Sequence, residues 1–200
     1  MSDIINAGES LYLSRASNIA QTLTQGGRRK ALKRGPTLYN LEVKVPSQLL
    51  NGDTYYAIEE ELLKLEYGLN TFYDSSISGV MKSGLIAKTR SSISGTPVVN
   101  GANQTGNTVT VSGLTGTVEP FDFVQFEGST KVYQIMEGST TTSLILNCPL
   151  VTSPADASVV VWGDNVNFNF CLKDQPGANY LPGNIVEYGT FMFEEVIQDT

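Results

Sequence analysis

The chain has 200 residues, of which 40 % are hydrophobic and 16 % charged, and its net charge is −7. That composition supports a packed core and excludes a collagen-like rod, a coiled coil and a wholly disordered chain. Nineteen glycines beside abundant Thr, Ser, Asn and Val favour strands and turns, and the absence of histidine removes imidazole bases, imidazole ligands and His-dependent nucleophile systems.

In chain order, Leu11, Leu13, Ile19 and Leu23 show no decisive period. An extended arm or short helix is expected over 1–27. Arg28, Arg29, Lys30, Lys33 and Arg34 follow, between turns at Gly26-Gly27 and Gly35-Pro36, in a stretch that fits an exposed strand. Tyr39, Leu41, Val43 and Val45 then alternate with polar residues, which predicts a half-buried strand ending at Pro46. Past the Asn51-Gly52-Asp53 turn, Thr54 is expected to cap a helix over 55–67. Ile58, Leu62, Leu65 and Leu69 form its apolar stripe, and Gly68 is its stop. Glu59, Glu60, Glu61, Lys64 and Glu66 fall mostly outside that stripe and read as a solvated face, not as an acid/base cluster.

From Ser91 the chain becomes rich in Gly, Ser, Thr and Asn. Short apolar runs at 108–112, 121–126, 131–136, 143–147 and 158–162 predict a small barrel or sandwich. Between Ile93 and Asn165 the one cation is Lys131, against Glu119, Asp122, Glu127, Glu137, Asp156 and Asp164, so the segment carries −5. Val166, Phe168, Phe170 and Leu172 restore a strict two-residue period, and Phe191 and Phe193 anchor a last strand over 187–197. The expected fold is mainly β. A β-sandwich with one helix (1–90 with 166–200) carries an inserted small β-barrel module at 91–165.

Chemical signatures are scarce. Neither GxGxxG nor GxxxxGK[ST] occurs, and no catalytic pair of carboxylates stands out. Cys148 and Cys171 lack metal-site spacing and read as buried free thiols. No cofactor, metal or catalysis is expected. The start lacks a basic segment followed by an apolar core, so a secretory leader is not expected, and no apolar run approaches the roughly 20 residues of a membrane span.

Charge is the strongest signal. Residues 1–46 hold Arg15, Arg28, Arg29, Lys30, Lys33, Arg34 and Lys44 against Asp3, Glu9 and Glu42. This segment carries +4, which leaves −11 on the remainder. Such a split suits head-to-tail contact between copies, and Arg28, Arg29, Lys30, Lys33 and Arg34 are the candidate subunit-interface residues. The same cations could bind nucleic acid. The acidic remainder and the lack of interleaved aromatics argue against that. Phe126, Tyr133 and Trp162 are candidate stacking residues for a carbohydrate or receptor, although aromatics at strand positions more often belong to a core.

The succession YYAIEEELLKLEYGLNTFY, GTPVVNGANQTGNTVTVSGL, FDFVQFEGSTKVYQI, LILNCPL, VNFNFCLKDQ and VEYGTFMFEEV resembles structural proteins at the end of the tail of tailed bacteriophages, of the distal tail or baseplate-hub type. The resemblance spans about residues 28–198 and does not account for the basic arm within 1–35. It implies a β-sandwich with a helix that forms a ring, usually a hexamer, continuing the tail tube. A small inserted barrel, often of the oligonucleotide/oligosaccharide-binding type, decorates the outside. The implied partners are further copies of the chain and neighbouring tube and baseplate proteins. The implied location is the virion, after synthesis in the host cytoplasm.

Overall fold

A computed structural model describes residues 3–23, 29–68, 79–174 and 176–197, with only the backbone described at 3, 17–23, 29–34, 65–68 and 79–80. The protein is mainly β. Helix α1 (Asp3–Ala7) leads into β1 (Ser10–Leu23), β2 (Arg29–Lys44), β3 (Gln48–Leu49), helix α2 (Asp53–Gly68) and β4 (Gly79–Lys82). The inserted segment supplies β5 (Ser92–Ser94), β6 (Val98–Val99), β7 (Thr108–Ser112), β8 (Thr115–Thr117), β9 (Phe123–Phe126), β10 (Val132–Gln134), β11 (Ser143–Ile145) and β12 (Val160–Trp162). The chain closes with β13 (Asn167–Asp174), β14 (Ala178–Leu181), β15 (Ile185–Tyr188) and β16 (Thr190–Glu195).

A curled antiparallel sheet of order β1-β2-β16-β13-β4 forms the base. Period-two alternation sends Tyr39, Leu41 and Val43 of β2, Phe168 and Phe170 of β13, and Phe191 and Phe193 of β16 into one core. Ile4 and Ile5 of α1 and Ile58 and Leu62 of α2 complete it. The stripe expected on the helix is therefore buried at Ile58 and Leu62, whereas the side chain of Leu65 and all of Leu69 lie outside the description. Leu62→Ala is expected to cost about 2–5 kcal/mol by lost transfer energy and a cavity. Glu60→Ala, which removes only an exposed pair with Lys64, is expected to leave the melting temperature nearly unchanged. Thermal unfolding of the two variants checks this.

Several elements differ from the sequence reading, among them the turn expected at Gly35-Pro36, which lies inside β2. The stretch expected as an arm or short helix holds both a five-residue helix and a 14-residue strand paired with β2. The described residues therefore hold two α-helices. α2 begins at Asp53, one residue before the expected cap. The expected last strand is two strands in different sheets, β15 and β16, separated by Gly189. A Cβ at Gly189 would lie 2.8 Å from the Cβ of Pro176, so the chain changes sheets where only glycine fits.

Strands of the inserted segment close on themselves. β12 pairs with β9, β9 with β10, β11 with β7 and β7 with β6. The bridges Ile135↔Leu146 and Val98↔Val159 join the two groups, giving a six-stranded antiparallel cycle. Its interior is packed with Val109, Val111, Val124, Phe126, Tyr133, Ile135, Leu144, Leu146, Val160 and Trp162. These side chains form a hydrophobic core of their own.

The outer face of β9, β10 and β12 is buried as well. Phe123, Val132 and Val161 pack with the base core, not with the barrel interior. This is why the run FDFVQF reads as nearly continuous in apolar character instead of alternating. The expected module thus shares a core with the domain that carries it.

Candidate functional site

Two regions stand out. The first is the β1–β2 ribbon. β16 pairs with β2 only from Lys44 to Asn40, so from Leu38 back to Arg29 the described partner of β2 is β1 alone. Arg29, Lys30 and Lys33 lie on this outer part, opposite Leu23, Thr22 and Ile19, and Arg34 is on the same strand. Arg28 lies outside the described residues, and the side chains of the other four are outside the description. Arg15 of β1 is exposed opposite Tyr39. A two-stranded ribbon is only marginally stable in water unless a third element covers it. The outer edge of β1 carries one charged residue, Arg15, and no proline over 14 residues. Apart from Arg15 and the register shift between Ser17 and Ile19, no device that keeps an edge from pairing is seen among its described residues.

The second region is the junction between base and barrel. Lys131 enters it from the start of β10 and Glu195 from the end of β16; both side chains are 0 % exposed. The Lys131 ammonium donates to Glu195 Oε2 and to the Val132 carbonyl, each at 2.7 Å. Glu195 also accepts from the Tyr39 N–H at 3.1 Å and the Val132 N–H at 3.0 Å. The ammonium lies 4.9 Å from the Tyr39 ring centroid and 5.6 Å from that of Tyr133. Burial pushes the Glu195 carboxyl above its ordinary range, while Lys131 and the two N–H donors pull it back. Tyr39 meets Phe123 and Phe168 edge-on at 5.8 and 5.3 Å. Asn147 donates to the Tyr39 hydroxyl at 3.3 Å.

Carboxylates fasten both chain crossings. Asp122 accepts from the N–H groups of Arg90 and Ser91 at 2.7 and 2.9 Å and from the Trp162 indole at 3.1 Å. Asp164 accepts from the N–H and hydroxyl of Thr89 at 2.9 and 2.8 Å. Those bonds hold the Asp164 carboxyl below its ordinary range.

The aromatic residues considered for ligand stacking are core residues. Trp162, Tyr133 and Phe126 are all buried, and the Tyr133 hydroxyl accepts the Val151 N–H at 3.0 Å. A carbohydrate could not reach their faces. Cys148 is buried and Cys171 half-buried, both free, and burial pushes the Cys171 thiol up. Among the described residues no group of three or more Cys, Asp or Glu could hold a metal, and no helix is long and apolar enough to cross a membrane.

Sequence reasoning noted Lys131 only as a lone cation and missed Glu195. A signal existed for both. Phe191, Phe193 and Glu195 share a two-residue period, which places a carboxylate on the core face, and a single lysine in an acidic segment is a candidate partner for it. No protein-family model matches the chain, and none of the curated proteins does.

Proposed function

We propose that the chain is a structural protein of a bacteriophage tail, assembling through its basic ribbon into a ring at the distal tail or baseplate. The observation that carries this reading is a long two-stranded ribbon, basic in sequence, on a chain whose remainder is acidic. A heterologous contact between such unlike surfaces generates a ring when its rotation closes. The succession of segments that resembles distal tail proteins supplies the location and the partners: tube and baseplate neighbours in the virion. The barrel, joined to the base by a shared core and a buried ion pair, suits a rigid decoration of that ring.

Negative-stain imaging of the purified chain tests the reading. Closed rings of copies of the 21.6 kDa subunit support it. A monomer at all concentrations, or DNA binding with steep salt dependence, overturns it and favours the nucleic-acid alternative.

A further inference from the structure

The exposed face of α2 carries an aromatic and mostly acidic surface. Tyr56 is 58 % and Leu63 53 % exposed, and Asp53 and Glu60 lie on the same face at helical spacing, Glu60 paired at 2.7 Å with Lys64. Beside them Tyr180 of β14 is 61 % exposed. The Tyr55 ring lies 5.4 Å from that of Tyr56, and the Tyr55 hydroxyl interacts electrostatically with Tyr180. Beneath this layer the Tyr188 hydroxyl donates to Glu59 at 2.5 Å, which fixes a further carboxylate at the rim.

Tyrosine faces beside carboxylates recognise cations, because the ring quadrupole and the anionic charge both attract a guanidinium or ammonium. The chain's own excess of cations is on the β1–β2 ribbon. It cannot fold back to this surface. Tyr180 and α2 lie at the Lys44 end of β2, since Tyr180 pairs with Val186, Val186 pairs with Gln48, and α2 starts at Asp53. Arg29, Lys30, Lys33 and Arg34 lie toward the other end of a 16-residue strand, which spans roughly 50 Å at about 3.3 Å per residue. Donor and acceptor thus sit at opposite ends of one molecule, the arrangement that a head-to-tail contact requires.

We propose that the surface formed by Tyr56, Glu60 and Tyr180 receives the basic ribbon of a second copy of this chain. This rests on the assembly reading above and names its receptor. The test uses the full chain in sedimentation velocity at low and high salt. Reversing the surface (Glu60→Lys with Tyr180→Lys) is expected to weaken assembly by about tenfold or more, as is reversing the ribbon (Lys30→Glu with Lys33→Glu). Combining all four changes in one chain is expected to restore assembly, because the charges are again complementary. Unchanged melting curves show that the fold survives, as expected for exposed positions on α2 and β14. If the surface variant assembles like the wild type, or the fourfold variant stays as weak as the single reversals, the receptor is elsewhere and the ring reading stands without it. If the wild type itself never assembles, the ring reading and this one fall together.

Discussion

Replacing Lys131 with methionine is expected to cost about 3–5 kcal/mol of folding stability, because it leaves the Glu195 carboxylate buried without its counter-charge. The side chain is completely enclosed, so water cannot take the place of the ammonium. The two backbone N–H groups, from Tyr39 and Val132, remain as partners of Glu195, which is why the site loses its balance without losing every contact. Adding Glu195→Gln to Lys131→Met is expected to recover part of the loss, since a neutral amide oxygen can still accept from one of those groups. The loss also depends on pH. Glu195 is already pushed up by burial and pulled back by Lys131, so removing the lysine raises it further. A carboxyl whose native value exceeds its unfolded one binds its proton more tightly when folded, and its contribution to stability falls as pH rises from about 4.5 through the native value. The deficit of Lys131→Met relative to wild type is therefore smallest in acid and grows toward neutrality. Urea unfolding at pH 4.5 and 7.5 measures this. An equal deficit at both would contradict a buried, charged Glu195.

Removing the barrel is expected to unfold the base. Joining the chain across 91–165 with a short glycine linker deletes Lys131, Phe123 and Val132 together. The loss of Phe123 from the Tyr39–Phe168 cluster is on the scale of a Phe→Ala change, about 3–5 kcal/mol. Val132 and Val161 leave the same core, so more of its apolar surface meets water, and together these losses approach the 5–15 kcal/mol by which whole domains are stable. Backbone groups make matters worse: the Tyr39 N–H keeps its carboxylate only while Glu195 stays inside. The shortened chain is expected to show no cooperative thermal transition in near-ultraviolet circular dichroism, and the intact chain a single one. A sharp transition near the wild-type temperature would show that the base folds alone.

How much of this was legible follows from burial. Strands with one wet face announced themselves. Tyr39, Leu41 and Val43, and likewise Val109 and Val111 in the barrel, stand at period two with polar neighbours, and their strands are where that pattern puts them. The apolar stripe of α2 was equally plain at Ile58 and Leu62. Faces buried twice were not. Phe123 and Val132 alternate with Val124 and Tyr133 in a stretch where both sides are covered, so no polar phase marks which residues meet the base. The glutamates of α2 illustrate a second limit. Glu59 and Glu61 have the spacing of a solvated face, yet Glu59 accepts from Tyr188, 129 residues away, and Glu61 from the Ile4 N–H at 2.7 Å. Local periodicity carries no information about such distant donors. β14 was missed for the opposite reason: its residues are mostly exposed, and a wet edge strand leaves little apolar signature.

In the proposed ring, opposite charges on one chain drive assembly, and sedimentation of the variant Arg28→Glu, Arg29→Glu, Lys30→Glu beside the wild type puts this to the test. Individual exposed ion pairs contribute about 0–1 kcal/mol, so only several together can hold a subunit. Screening shortens their reach to about 10 Å at 0.1 M salt and to about 3 Å at 1 M. The wild type is expected to sediment as a closed oligomer and the triple variant mostly as a monomer at low salt. The gap between them should narrow at high salt, with melting temperatures unchanged throughout. Equal assembly of both proteins at low salt would contradict it.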